Sequence, residues 1–292
     1  MERPALSIVV PVYNERDSVP AAVERFKEIV RAVPGGAEVI LVDDGSNDGT
    51  ENLLNGLAVE GMRVLRHPWN RGYGAALKSG LAAAAADFVA ITDADGTYPD
   101  DRLPELFAEM RRHPDLDMVV GARTGPNARI PLLRRPAKWC LNKLANLLSR
   151  QAIPDLNSGL RIMRKSVVEK FLRILPDGFS FTTTITLAML TNGRLVKYLP
   201  IEYRRRVGRS KIRPVYDTLD FLQLILRTTL YFNPLRIFLP LSLFIFLSAF
   251  VVAAGSRLLL GRVMDVTFGV LVMAAIMVFA IGLLADLIDK RL

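Results

Sequence analysis

Two stretches of this chain carry no charge: residues 237–256, between Arg236 and Arg257, and residues 266–285, between Asp265 and Asp286. At about twenty residues each, a helix through either one crosses the hydrocarbon core of a bilayer. The first is dominated by Ile, Leu, Phe and Val, which contribute roughly −0.3 to −0.6 kcal/mol each at mid-membrane, so insertion gains at most on the order of −4 to −7 kcal/mol. Pro240 falls near the start, where a helix tolerates it. Only Gly261-Arg262-Val263-Met264-Asp265 separates the two stretches, which predicts a helical hairpin. A pair of buried soluble helices is the alternative, but such helices rarely run so far without a charge. Basic residues cluster before the hairpin (Arg204, Arg205, Arg206, Arg209, Lys211, Arg213, Arg227, Arg236), and Lys290 and Arg291 follow it. The positive-inside rule then puts both ends on the cytoplasmic side of a cell membrane.

With 292 residues the chain has room for one large domain or two modest ones, and a hydrophobic share of 51% excludes disorder. The start, Met1-Glu2-Arg3-Pro4, leads into a strand-like run broken by Pro11, which leaves no signal-peptide core. A lone Cys140 forms no intrachain disulfide and fits a reducing compartment. The net charge of +9 comes with no zinc-ligand spacing and no RNA-binding aromatic signature, so no nucleic-acid partner is expected. Proximity to anionic lipid explains the basic excess better.

The first two hundred residues alternate between strand-like and helix-like patterns. Leu6-Ser7-Ile8-Val9-Val10 reads as a buried strand with Pro11 to Glu15 as its exit loop, and Val19, Val23, Phe26 and Val30 follow at helical spacing. Glu38 to Val42 is the next strand, then a helix from Glu51 to Ala58, a strand at Arg63-Val64-Leu65, a helix from about Gly74 to Ala86 and a strand at Phe88 to Ile91. This order predicts a mostly parallel α/β sheet with a ligand site along the carboxyl ends of its strands.

Three of those strand exits carry acids: Glu15, Asp43 with Asp44, and Asp93 with Asp95. Carboxylates converging on one sheet edge repel each other unless a cation or hydrogen-bond donors stand among them. Asp93-Ala94-Asp95 is the most suggestive, because two acids one residue apart at a strand exit hold a hard divalent cation, which in turn holds a pyrophosphate. A solvated turn is the plainer reading of Asp93 to Gly96. Gly72-Tyr73-Gly74 is no dinucleotide fingerprint, since the third glycine is missing. It opens a helix instead, with Arg71 and Lys78 nearby as phosphate partners or as ordinary solvated cations.

Taken together, Ser7-Ile8-Val9-Val10-Pro11-Val12-Tyr13-Asn14-Glu15, Val42-Asp43-Asp44-Gly45-Ser46-Asn47-Asp48-Gly49-Thr50, Asp93-Ala94-Asp95, Gly121-Ala122-Arg123, Asn157-Ser158-Gly159-Leu160-Arg161 and Gly208-Arg209-Ser210-Lys211 resemble the family 2 glycosyltransferases of GT-A fold. More narrowly, the chain resembles their polyprenyl-phosphate branch, which includes dolichol-phosphate mannose synthase and its bacterial relatives. The resemblance implies that Pro11, Tyr13, Glu15, Val42 and Asp44 hold the base and ribose of a sugar nucleotide, and that Asp93 and Ala94 also touch the nucleotide. It implies that Asp95, with Asp93, binds Mg²⁺ or Mn²⁺, and that Arg123, Arg205 and Lys211 meet donor or acceptor phosphate, which makes Asp95, Arg123, Arg205 and Lys211 the candidate catalytic residues. Relatives often read Leu-Gln after the second aspartate, where this chain has Gly96-Thr97.

The chemistry is consistent with these residue types. Breaking a sugar–phosphate bond develops charge on a nucleoside diphosphate, which a bound cation stabilises. A hydroxyl acceptor needs a general base, whereas a lipid monophosphate, with a second ionisation near pH 6, is already anionic. The cluster from Arg204 to Arg213 suits such an acceptor and far exceeds what attachment to a membrane lipid surface requires. Two amphipathic segments, Leu132 to Arg150 and Val215 to Tyr231, read as lying on the bilayer surface, or else as a core helix or a homo-oligomer contact. The expected organisation is a GT-A domain over 1–213, a juxtamembrane segment over 214–234 and two transmembrane helices over 235–292. The expected activity is inverting transfer of a sugar from a UDP- or GDP-linked donor to polyprenyl phosphate. Two alternatives are transfer to a sugar or glycan hydroxyl, which predicts an acceptor-side carboxylate base, and a non-catalytic membrane assembly subunit.

Overall fold

A computed structural model describes residues 3–57, 59–124, 146, 152–202, 230–231, 233–261 and 264–289. Cys140, Arg205, Lys211, the rest of the 204–213 cluster, Arg227, Lys290, Arg291 and nearly all of the two amphipathic segments lie outside them. Contacts divide the chain into two units, Met1–Phe221 and Leu222–Leu292.

The first unit is built on a seven-stranded sheet. Its strands are β1 (Leu6–Val12), β2 (Ala37–Asp43), β3 (Met62–Arg66), β4 (Phe88–Ile91), β5 (Met118–Ala122), β6 (Arg161–Arg164) and β7 (Val196–Pro200), in the order β3-β2-β1-β4-β6-β5-β7. All pairings are parallel except those of β6, which runs antiparallel to β4 and β5. Helices cover both faces, and the central strands are therefore continuous apolar runs, as a doubly covered sheet requires. Helix α1 (Val19–Ala32) presents Val19, Ala22, Val23, Phe26 and Ile29 at helical spacing, and α4 (Leu103–Arg112) presents Leu103, Leu106, Phe107 and Met110. Both pack on Leu6, Ile8, Val10 and Val12 of β1.

The other face of β1 takes α3 (Tyr73–Ala83), where a Cβ at Gly80 would stand 2.2 Å from Val9 Cγ1, so only glycine admits this contact. On β6 the neighbours Leu160 and Ile162 belong to the α1 side. Alternation therefore turns Arg161 to the α3 side, where it meets α6 (Phe181–Thr191). Two further helices, α2 (Thr50–Asn55) and α5 (Lys165–Val168), are short.

Strand β1 runs two residues further than the sequence suggests and takes Pro11 into the ladder opposite Val42. The Val12 carbonyl accepts the Asp44 amide on the β2 side and the Val9 carbonyl accepts the Thr92 amide on the β4 side. Backbone direction alternates along a strand, so Pro11 addresses β4, whose pairing with β1 ends at Ile91. The missing proline N–H thus costs no ladder bond, and the gap opens where chain direction across the sheet reverses, between β1 and β4. Ligands of open α/β sheets bind in that crevice. Two helices also end earlier than the sequence suggests: α2 stops at Asn55, and α3 stops at Ala83, with Ala84 extended.

The second unit is the pair α7 (Leu235–Leu260) and α8 (Asp265–Asp289), with Pro240 inside α7. Gly261, at φ 68°, ends α7 in the left-handed conformation that suits glycine. The turn is fixed by the Met264 amide donating to Ser256 Oγ at 3.2 Å. Only 11% of each apolar window is buried, with Leu258, Leu259 and Val266 more than four-fifths exposed, so these are not the core helices of a soluble domain. Each is long and apolar enough to cross a membrane. A Cβ at Gly282 would stand 2.5 Å from Phe238 Cβ, so the helices touch backbone to side chain there. Gly282→Leu is expected to destabilise the hairpin by about 1–3 kcal/mol through overpacking, read as a lowered thermal midpoint in detergent.

Candidate active site

The loops leaving β1 and β2 are braced against each other. Asn14, the one described non-glycine residue with positive φ (53°), donates its amide to Ser46 Oγ at 3.0 Å and accepts the Asn47 amide on Oδ1 at 2.9 Å. The Glu15 amide donates to Thr50 Oγ1, the Arg16 amide to Asp48, and Asp48 also accepts both the amide and hydroxyl of Thr50. Asp48 is held below the usual carboxylate range by those donors, which outweigh its desolvation. This explains the Asp-Gly-Ser-Asn-Asp-Gly-Thr string: its polar side chains fix the neighbouring loop. Pro11 and Tyr13 flank the crevice, with Tyr13 37% exposed, while Val42 is fully buried and Glu15 accepts the Ser18 hydroxyl at 2.8 Å.

Asp44 is almost completely buried. Its Oδ1 accepts the Arg71 amide at 2.9 Å and stands 2.7 Å from His67 Nδ1, and its Oδ2 accepts the Gly72 amide at 2.8 Å. One carboxylate thus pins the whole loop that joins β3 to α3. Gly72 and Gly74 lie against the backbone of Pro176 and Asp177, where a Cβ would come within 2.5 Å, so these glycines serve close packing. Lys78 pairs with Asp177 at 2.7 Å, which accounts for it structurally.

Across the crevice, Asp93 Oδ1 accepts the Tyr73 hydroxyl at 3.0 Å, and Asp95 Oδ1 accepts both the amide and the hydroxyl of Thr97, at 3.1 and 2.7 Å. Thr97, at the position where the motif departs from its relatives, therefore orients Asp95. Ala94 is buried between the two acids. Burial first, and the charge of Asp95 second, push the Asp93 carboxyl up to about 7. Gly159 closes the floor: its amide donates to Tyr98 Oη at 2.7 Å, and a Cβ there would stand 3.2 Å from Asp93 Oδ2.

Arg123, at the exit of β5, forks onto Asp155, with Nε to Oδ2 at 2.7 Å and Nη2 to Oδ1 at 2.8 Å, and its amide also donates to Oδ2. Asp155 is 3% exposed. Arg161 is fully buried and donates to the carbonyls of Ser158 and Thr182 and to Thr186 Oγ1, which ties this turn to α6. Burial lowers its proton affinity. Asp155, His67 and Tyr73 were not singled out from the sequence. No local pattern marks them, although Asp155 stands two residues before the quoted Asn157-Ser158-Gly159 motif.

Residues 7–172 match the model of glycosyl transferase family 2. The chain belongs to that family. Residues 233–290 match a second model, the GtrB C-terminal hairpin. Among curated family 2 relatives, a bactoprenol glucosyl transferase of Shigella phage SfV is 31% identical over 70% of this chain and 66% of its own length. The dodecaprenyl-phosphate galacturonate synthase of Rhizobium johnstonii is 29% identical over 70% of this chain and 61% of its own. The chain thus spans just under two thirds of these relatives' lengths. Among solved structures, glucosyl-3-phosphoglycerate synthase from Mycobacterium tuberculosis, in complex with Mn²⁺, UDP and phosphoglyceric acid, superposes with a TM-score of 0.60 at 19% identity, over 77% of this chain and 78% of that one. This likeness supports the GT-A-like fold.

Among the described residues, no group of three or more His, Cys, Asp or Glu side chains surrounds a metal position. The residues still suit a hard divalent cation of the Mg²⁺ type, which takes one or two carboxylates and completes its shell with water and substrate phosphate. Asp93 and Asp95 would supply two such oxygens, and a cation there would relieve their mutual repulsion. A pH dependence follows. With its native pKa raised to about 7, above the unfolded value, Asp93 binds its proton more tightly when folded. Stability is then full below the unfolded pKa and falls as pH rises towards 7. Urea midpoints in EDTA are expected to fall over that window for the wild type and to stay flatter for Asp93→Asn.

Proposed function

We propose that this family 2 member transfers a sugar, with inversion, from a nucleotide-sugar to polyprenyl phosphate at the cytoplasmic face of a membrane. The observation that carries the reading is the joining, in one chain, of a family 2 domain with its acid pair at the sheet's switch point and a hairpin of the GtrB type. Relatives named for bactoprenol and dodecaprenyl phosphate support the acceptor class.

In this reading the nucleotide lies across the β1–β4 gap, with Tyr13 exposed to its base and the braced loops after β1 and β2 beneath it. Asp95 and Asp93 would hold Mg²⁺ or Mn²⁺, which would supply positive charge to a departing diphosphate. Tyr73 and Thr97 keep those two carboxylates in fixed orientations, so little reorganisation accompanies the reaction. A lipid phosphate arrives ionised and requires cations, a role we assign to Arg123 with Arg205 and Lys211. Transfer to a hydroxyl would instead need a carboxylate free to take a proton. Asp155 is a carboxylate in this region, and Arg123 engages both of its oxygens.

The test incubates the purified full chain, Mg²⁺ or Mn²⁺ and polyprenyl phosphate with a panel of labelled UDP- and GDP-sugars. Label extracted with the lipid is expected from at least one donor. Label appearing solely on an added glycan would replace this reading with hydroxyl transfer.

A further inference from the structure

His67 is buried at the exit of β3. Its two ring nitrogens are both engaged: Nδ1 lies 2.7 Å from Asp44 Oδ1, and Nε2 lies 2.8 Å from Ser79 Oγ on α3. An ionised carboxylate only accepts, so Nδ1 carries the hydrogen that faces Asp44 Oδ1, and Nε2 pairs with the Ser79 hydroxyl. The His67 amide is also fixed, donating to the Asp43 carbonyl at 2.8 Å. A buried relay thus runs from the β2 exit through the β3 exit to α3. The loop that follows His67 ends at Tyr73, whose hydroxyl holds Asp93, so the same few residues are strung between the two acidic exits of the crevice.

We propose that His67 is a positioning residue for the nucleotide half of the donor site, holding the Asp44 carboxylate in its binding orientation through Nδ1–H, with Ser79 fixing the ring. The proposal rests on the donor-site reading given above. In that reading Asp44 serves the nucleotide, away from the bond that breaks. Its displacement therefore weakens donor binding in ground and transition states alike, which raises KM and spares kcat.

Side-chain geometry provides a discriminating test. An Asn amide nitrogen is as many bonds from Cβ as Nδ1, whereas a Gln amide nitrogen matches Nε2. His67→Asn retains a donor for Asp44 and His67→Gln does not, although Gln is closer to histidine in volume. For His67→Gln the donor KM, and the Kd for the nucleoside diphosphate alone, are expected to rise about tenfold, the loss of one charge-assisted hydrogen bond. For His67→Asn the rise stays within about threefold, and kcat stays within about twofold for both. Ser79→Ala, which leaves the ring in place, is expected to weaken nucleotide binding by about two- to fourfold and serves should His67→Gln not fold. Equal losses for Asn and Gln, or a fall in kcat with donor KM unchanged, would overturn the positioning role, as would wild-type binding by Ser79→Ala. A wild-type protein that binds neither UDP nor GDP would bring down the donor-site reading itself, and this proposal with it.

Discussion

Asp95→Asn is expected to lower transfer of labelled sugar to polyprenyl phosphate by about a thousandfold, the loss typical of a preorganised group that stabilises developing charge. The change is nearly isosteric. An asparagine Oδ1 still accepts the amide and hydroxyl of Thr97, so the turn after β4 keeps its shape and only the negative charge is removed. Removing that charge also relieves Asp93, whose proton affinity is raised in part by Asp95. The variant should therefore be at least as stable as the wild type near neutral pH while losing activity, a divergence that a folding defect cannot produce. Thermal unfolding beside the lipid-transfer assay reads both quantities. Undiminished transfer would remove Asp95 from the chemistry, and an Asp95 variant that still supports function in cells would favour the assembly-subunit reading.

Arg123→Ala is expected to cost about 3–5 kcal/mol of stability in addition to any effect on turnover, because it takes the guanidinium fork away from a buried carboxylate. Asp155 is 3% exposed and its two oxygens rest on the guanidinium fork and the Arg123 amide. The amide survives the substitution, which places the loss towards the lower end of that range. Removing both partners leaves no stranded charge, so Arg123→Ala/Asp155→Ala should be less destabilised than the sum of the single changes by about 1–3 kcal/mol in a double-mutant cycle. Additive losses in urea unfolding would show that the pair contributes no coupling. Transfer assays on the same variants separate the roles: a phosphate-binding Arg123 raises the acceptor KM even where the protein remains folded.

The hairpin, the acidic exits and the mostly parallel sheet were legible in the sequence, since each is written in residues close together along the chain. Charge is excluded for twenty residues at a time before and after Gly261, and each early strand is an apolar run ending in an acid or a turn. Pro11 misled the local reading, because a proline ends a strand by default and is tolerated here only because β4 has already turned away. Arg71 and Lys78 read locally as phosphate partners or as ordinary solvated cations, and the sequence does not show that Lys78 pairs with Asp177 or that Gly72 and Gly74 pack on the backbone of residues 176–178, about a hundred positions away.

By itself, the sequence determined that the chain has an apolar helical hairpin and a sheet whose strand ends carry carboxylates, because hydrophobic length and strand-then-acid patterns are short-range properties. Only the tertiary structure decided what holds each carboxylate. The insertion of antiparallel β6 between β4 and β5 brings Gly159 beneath Asp93 and Asp155 onto Arg123, and the β3 exit carries His67 to Asp44. Strand order sets those pairings, and no period along the chain encodes it.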